Sequence, residues 1–420
     1  MYSRPLIPIV IQQHCEDASI LRGSRSSLVS GHVKLLQLAR LDERLAAHLD
    51  GLIEAGAHGA SLVMQAQERP SVGSVFSATT LAIESRNTLL LGQVFAIAQS
   101  LPEVRKGVLS AFGWVEAGKL QGLIQPLFDA PEPFHREVAL AACAMHGVNP
   151  GAALQAALAD SDAGVRQRAL RLVGELGLVD QLNACLTRLA DDSATCAFAA
   201  ARAAVLLGDR GQAVAALTQM AAAPGPWRAE AMSLLLRVLP SDPARELLRN
   251  LAQEAGDPRL LIDAVGAAGD VHYVPWLIQQ MSQPALARRA GESFAMLAGL
   301  DLALLDLDRK PPEADSTPAE GDEAAAALEE DLNLPWPDPE RIEAWWQTNG
   351  SRFQPGVRYF AGQAPTLASV TSELSDGVQR RRIAAAQYRC LLAPGTPLFN
   401  TAAPAWRQQR LLASQGSSSV

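Results

Sequence analysis

The sequence predicts an all-α protein, a right-handed α-solenoid of stacked helix pairs. Three observations carry that prediction: a repeat of nearly fixed length, one apolar face per repeat at helical spacing, and cap chemistry at both ends of that face. The repeat comes first because self-similarity at 20 to 50 residues marks a stacked array. Ile97, Leu127, Leu158, Leu189, Met220, Leu251 and Met281 stand 30 or 31 residues apart, and each opens a similar segment. That length holds two helices of about three turns and two turns of chain. In the copy LADSDAGVRQRALRLVGELG, Val165, Ala169, Leu172, Val173 and Leu176 share one face at three- and four-residue spacing. Asp160, Ser161 and Asp162 supply N-cap oxygens ahead of it, and Gly177 stands where a C-terminal residue takes positive φ. Leu178 to Leu189 then reads as the first helix of the next copy. A hairpin of this kind cannot cover its own apolar face, so each copy shields its neighbour. Runs such as AAARAAVLL, Ala199 to Leu207, suit close helix approach rather than a thick aromatic core.

Taken in order, residues 1–60 read as an N-terminal arm and capping helices. Met1 to Ser30 reads as irregular, with LIPIVIQQ a short strand or an extended arm. Asp42 to Ala55 is an amphipathic helix with Leu41, Leu45, Leu49, Leu52 and Ile53 on its stripe. Two more helices follow, near Val75 to Ile83 and Leu89 to Ala98. Residues 61–307 form the repeat solenoid. Residues 308–333 are expected to be an acidic flexible linker: 311–331 hold eight acidic residues and no Lys or Arg. That composition has too few apolar residues to offset the entropy of ordering. Residues 334–420 form a Trp-rich C-terminal module. LPWPDPERIEAWW places Asp338 as N-cap and Pro339 at the first helical position, and a last helix runs from Asp376 to Leu392.

Charge narrows the function. Net charge is −8, the 311–331 stretch accounts for all of it, and the rest of the chain sums to zero. Nucleic acid is therefore a poor partner, because phosphate binding needs a concentrated basic face. The apolar run Leu6–Ile11 is too short for a signal peptide's core. No uncharged apolar window of about 18 residues suits a membrane span. The expectation is a cytoplasmic protein that binds neither membrane nor nucleic acid. Five scattered cysteines without a CxxC argue against a disulfide framework and a zinc ribbon, leaving buried free thiols.

Catalytic motifs are missing: no GxSxG elbow, GxxxxGK[ST] loop, GxGxxG after a strand, or HExxH. His14, Cys15, Glu16 and Asp17 are the one tight ligand-type cluster, but consecutive residues rarely converge on one metal. His48 and His58 lack a third ligand at usable spacing, and His135 and His146 read as capping or surface residues. The expectation is no catalytic, cofactor-binding or metal-binding residue, and no cofactor.

The candidate partner-binding residues are of two kinds. Arg105, Arg166, Arg228, Arg259 and Arg288 or Arg289 recur seven or eight residues after each opening apolar residue. Ala197 interrupts the column, and His135 with Arg136 occupies it in the second copy. Asp129, Asp160 and Asp191 precede three of its positions by six residues. The column is either a structural ladder or an anion-binding stripe on a concave face. The second kind is the adjacent pair Trp345 and Trp346, within a cluster that includes Trp336, Trp406, Phe353, Tyr359 and Phe360. The cluster is an aromatic core or a docking surface. Neighbours in sequence cannot share one inward stripe, so one Trp of the pair is the better candidate for a contact. Arg380, Arg381, Arg382 and Arg389 read as a solvated face, a pairing with the acidic linker, or an anion or lipid site.

The D…VR…A…LG pattern resembles the short bacterial HEAT-like (PBS-lyase-like) repeat, whose Asp and Arg form a ladder between adjacent copies. Asp160 and Arg166 match both members; Asp129 faces a His and Asp191 faces an Ala, so the resemblance implies a ladder broken at two steps. LDERLAAHLDGL, LPWPDPERIEAWW, F-x-PG-x-RYF and APAWRQQ together resemble a proteobacterial HEAT-repeat family whose members sit near type VI secretion genes. That resemblance spans nearly the whole chain. It implies a non-enzymatic scaffold or adaptor, an accessory or loading factor, with a secreted effector or secretion component as its protein partner. The alternatives are an enzyme or small-ligand binder in the solenoid groove, bilin-lyase-like, or self-association into a structural assembly. The repeat is a scaffold, and fold analogy does not transfer chemistry.

Overall fold

The structure is a computed structural model, and it describes residues 6–254, 256–312 and 331–416. Among the described residues there are 22 α-helices and no strand, only four isolated β-bridges. The protein is all-α. None of these helices is long and apolar enough to cross a membrane. Two compact units divide the chain. One comprises Met1–Ala203, Ser375–Arg380 and Gly395–Val420; the other comprises Ala204–Leu374 and Arg381–Pro394. The residues after 334 are thus shared between the units rather than standing as one module.

In the first unit, the segment expected to be an irregular arm or strand is instead a helix, Pro8–Leu28. Pro8 sits at its start, where a missing N–H costs nothing. Ile11, Cys15, Ala18, Leu21 and Arg25 form its buried face at three- and four-residue spacing. The partner helix, Leu35–Glu54, begins seven residues before the expected Asp42. Leu45, Leu49 and Leu52 are buried on it, while Leu41 and Ile53 are only partly covered. Asp42 is fully buried on the same helix. It accepts a two-pronged contact from Arg25 (2.7 and 3.2 Å) and the backbone N–H of Ala405 (2.8 Å). Arg25 also donates to the carbonyls of Ala402 and Ala403, so the APAWRQQ segment is locked to the first helix pair. Arg407 of that segment caps the Arg105–Trp114 helix by donating to the carbonyls of Gly113, Trp114 and Val115. Such carbonyls have no partner within their own helix.

The repeats follow. Val72–Glu84 packs on Arg105–Trp114, that helix on Pro133–Met145, and that one on Ala163–Leu176. Asp162 caps the last of these through Val165 N–H, and Gly177 terminates it at φ 67°, as the sequence implied. Val165, Ala169, Leu172 and Val173 are fully buried; Leu176, expected on the same face, is only half-buried. The intervening first helices are short here: Ile124–Phe128, Ala152–Leu158 and Leu182–Thr187. The expected helix from Leu178 to Leu189 is broken into two 3-10 turns around Leu182–Thr187. Cys185 is its one fully buried side chain, so little apolar burial favours a longer helix there.

The second unit repeats the plan with longer first helices, Gln212–Ala222 and Ser241–Gln253. Its second helices, Arg228–Val238, Pro258–Ala268 and Ala287–Ala298, pack in sequence on one another. Gly269 and Gly299 end two of them with φ 63° and 74°, and there the 353–363 segment crosses. Tyr359 N–H donates to Gly269 O, Ala361 N–H to Met296 O and Gly362 N–H to Leu297 O. A Cβ at Gly269 would overlap the Tyr359 carbonyl, and one at Gly299 would overlap Ala361. Glycine is therefore required twice over, by φ and by the close approach of backbone. Arg358 adds donors to the carbonyls of Arg237 and Leu239 at the end of the preceding helix.

Most of the expected acidic linker, residues 313–330, lies outside the described residues. Its flanks pair with each other: Arg309 N–H donates to Trp336 O, and Asp338 N–H to Leu307 O. Asp331 is buried.

Candidate functional site

The arginine column occupies the first turn of the second helices other than Ala194–Leu206, where a cation opposes the helix dipole and needs an acid or carbonyl partner. Two copies solve this with the same contacts. Arg136 Nε and a terminal nitrogen clasp Asp160 at 2.9 and 3.2 Å, while its other nitrogen donates to the carbonyls of Ala130 and Pro131. Thirty residues on, Arg166 clasps Asp191 at 3.1 and 3.0 Å and donates to the carbonyls of Asp160 and Ser161. Each Asp does a second job. Asp160 accepts the N–H of Asp162, and Asp191 accepts the N–H of Ser193, fixing the turn that starts the next helix.

The ladder thus joins an arginine to the aspartate of the following copy. Asp191, expected to face a gap at Ala197, is satisfied by Arg166 behind it, and the His135 copy is served by Arg136. The Arg166 guanidinium holds the Asp191 carboxyl below the usual carboxylate range, chiefly through their hydrogen bond. Sequence reading missed this register. The legible signal was a constant separation of 24 or 25 residues between each arginine and its acid, where the pattern within one copy drew attention to six.

The other column members vary. Arg105 makes no such clasp; Asp129, the acid in its register, is engaged by Gln125. Its Nε donates to Ala98 O at 3.1 Å, and the guanidinium lies 4.7 Å from the Phe134 ring centroid, a cation–π arrangement. Arg228 repeats the Nε contact, to Ala221 O, and pairs with Glu254. Arg259 reaches Asp331 at 2.8 Å, and Arg289 joins the same carboxylate at 3.1 Å while clasping Asp263 at 2.7 and 2.8 Å. Arg166, Arg228 and Arg259 keep only 14%, 16% and 20% of their side-chain surface exposed. These groups are turned inward on neighbouring chain, and an anion approaching them would have to displace an existing partner.

Trp345 and Trp346 lie on Pro339–Asn349, capped by Asp338 as the sequence implied. Their rings both meet Phe294 edge-on, at 6.0 and 6.2 Å, and Trp346 also lies 5.2 Å from Phe353. The expectation that only one of the pair could turn inward is corrected. Phe294 is large and fully buried, and one ring can take an edge from each of two neighbours. Both tryptophans stay half-buried, so each keeps some surface available.

The arginine run on Gln379–Leu392 is not a solvated face. Arg381 and Arg382 are buried. Arg381 pairs with Glu373 and donates to Leu300 O; Arg382 donates to Leu374 O at 2.7 Å, and burial pulls its guanidinium down to about 10. Arg237 is another interior guanidinium. It donates to Ser233 O at 2.9 Å and lies 5.9 Å from the Tyr388 ring centroid, and burial lowers its pKa. A half-buried cluster of charge lies on Ala163–Leu176: Arg168 and Arg171 both contact Glu175. Burial raises the Glu175 pKa, but Arg168, Arg171 and Arg202 outweigh that and bring it to about 2.

His146, expected to cap or lie at the surface, bonds through Nε2 to Phe112 O at 2.8 Å. His135 stacks near Phe95 at 4.4 Å, and burial lowers its pKa. All five cysteines are buried and outside any disulfide. Among the described residues, no three His, Cys, Asp or Glu side chains are placed to hold a metal. Set against protein-family models, curated proteins and solved structures, the chain matches none of them.

Proposed function

We propose that this protein is a non-enzymatic interaction scaffold, a right-handed α-solenoid of HEAT-like helix pairs that works as a cytoplasmic adaptor. The observation that carries the reading is the duplicated contact set of Arg136 and Arg166, each binding its own turn and the acid of the next copy. Contacts that recur at the repeat step are what an array of nearest-neighbour units requires. The column arginines serve that array. The partner contact is drawn to side chains that keep free surface, with Trp345 and Trp346 the leading pair because aromatic rings supply large contact area at low entropic cost. A secreted effector or secretion component is the partner class that the sequence resemblance implies. Affinity capture of the full chain from its host, with Trp345→Ala in parallel, tests this. The expected outcome is one protein retained at stoichiometric level by the wild type and depleted in the variant. Native mass spectrometry showing a retained small molecule and no protein would end the scaffold reading.

A further inference from the structure

The first two helices meet through histidine as well as through apolar side chains. His14 on Pro8–Leu28 and His48 on Leu35–Glu54 bring their Nδ1 atoms to 3.0 Å, with ring centroids 5.1 Å apart and planes inclined by 69°. At that distance one Nδ1 carries a hydrogen and the other accepts it; full protonation of both rings would set two cations face to face with no acceptor between them. Asp17, one turn on from His14, has Oδ2 at 3.8 Å from His48 Nδ1. Arg44, one turn back on the helix of His48, opposes a further positive charge. Ala57–Gln65 packs against both helices and contributes His58, whose Nε2 is buried without a hydrogen-bond partner. Gly51 completes the seat, because a Cβ there would strike the His14 ring at 2.6 Å.

We propose that His14 and His48 form an acid-sensitive latch: it holds the N-terminal half of Pro8–Leu28 while one Nδ1 can accept from the other, and protonation of both rings releases it. The other half of the helix does not depend on the latch, since Arg25 is tied to Asp42, Ala402 and Ala403. Acid therefore loosens residues 8–17 and spares the turn around Arg25. Ile11 and Cys15, buried when the latch is closed, then join the exposed Leu6, Ile7, Ile9 and Val10 in one apolar surface. The direction of linkage agrees. Burial first, then His14 and Arg44, lower the His48 pKa against the pull of Asp17. The unfolded or opened state thus binds the proton more readily. The latch is intact above imidazole's ordinary value of about 6.5 and is lost as pH falls below it.

Hydrogen exchange of the full chain, read by mass spectrometry and corrected for intrinsic rates, tests the latch at about pH 7.5 and about pH 5.5, either side of that value. Protection of residues 10–17 should fall about tenfold in acid relative to residues 20–25, the change that one pKa unit of preference produces. His48→Gln, which hydrogen-bonds but does not titrate, should abolish the difference. An equal acid response in wild type and variant, or none in wild type, overturns the proposal. Should His48→Gln fail to fold, an NMR titration of the wild type decides. A His48 imidazole that titrates at or above the ordinary value overturns the latch, and a depressed one sustains it.

Discussion

The two units answer one electrostatic demand in different ways. In each, an arginine opens a second helix and needs a counter-charge. In the first unit the following copy supplies it for two of the three: Arg136 takes Asp160 and Arg166 takes Asp191, at nearly the same separation and with the same turn contacts, whereas Arg105 turns to Ala98 O and the Phe134 ring. In the second unit the rule thins out. Arg228 finds a half-exposed glutamate, while Arg259 and Arg289 converge on Asp331, 72 and 42 residues further along the chain. A rung made by the next copy can be extended indefinitely; one borrowed from a distant segment ends a series. Asp331 is therefore the terminal rung of the second unit's arginine column, while the 395–416 stretch is tied to the first unit by way of Arg25 and Asp42.

The largest effect expected from this difference lies at Asp331. Replacing it with Ala removes the carboxylate that Arg259 and Arg289 share. Removing one partner of a buried charge pair costs about 3–5 kcal/mol, and Asp331 is buried with 3% of its side chain exposed. Urea denaturation should show the loss, with a lower midpoint for the second unit. A variant as stable as wild type would mean that Asp331 is no terminal rung.

Next in size are the apolar positions of the regular unit. Leu172 is fully buried and Leu176 half-buried on the same helix. Leu172→Ala should cost about 3 kcal/mol, the lower part of the range for buried leucines, and Leu176→Ala well under that. Equal losses at the two positions would show that the helix face is rotated from the one described.

These positions also mark what the chain made legible. Most of the buried faces of Leu35–Glu54 and Ala163–Leu176, the Asp162 and Asp338 caps and the Gly177 stop follow from local chemistry, and these could be read directly. The failures share a cause. Pro8–Leu28 was obscured because Ile7, Ile9 and Val10 crowd its start and read as a strand. Its burial against Leu35–Glu54 and Val72–Glu84, which local sequence does not show, favours the helix. Asp42 reads only as a helix start because its partners, Arg25 and Ala405, are 17 and 363 residues away. Arg381 and Arg382 looked solvated because the carbonyls that satisfy them belong to helix ends elsewhere in the chain. The paired His14 and His48 had no local spacing signal at all. Of the candidate site, the arginine column was visible as a column, but its pairing register was not.

The regular rung has an acid signature. Asp191 has its folded pKa below the ordinary value, through the hydrogen bond from Arg166 first. Such a group stabilises the fold fully above its unfolded value of about 3.9, and that contribution is lost as pH falls through the folded value. Asp191→Asn keeps the shape and removes the charge, so it should lower stability by about 1–3 kcal/mol near neutrality, the worth of a charged hydrogen bond. The gap between variant and wild type should close as pH falls below about 4. Thermal melts at several pH values check this, and a gap independent of pH would assign the rung to packing rather than charge.

The smallest effect belongs to the rung between Arg228 and Glu254. The pair is made, but Glu254 keeps 46% of its side chain exposed, whereas Asp191 keeps 1%. Water screens the exposed pair and competes for its hydrogen bonds, so Glu254→Ala should change stability by about 0–1 kcal/mol. Arg228 keeps its Nε bond to Ala221 O in the variant, which leaves the guanidinium anchored. Added salt should erase the small difference at Glu254 and leave most of that at Asp191, because screening acts on exposed charges and spares covered ones. A loss at Glu254 as large as that at Asp191 would make exposure irrelevant to these rungs, and the contrast between the two units would then rest on where the acid comes from and on nothing else.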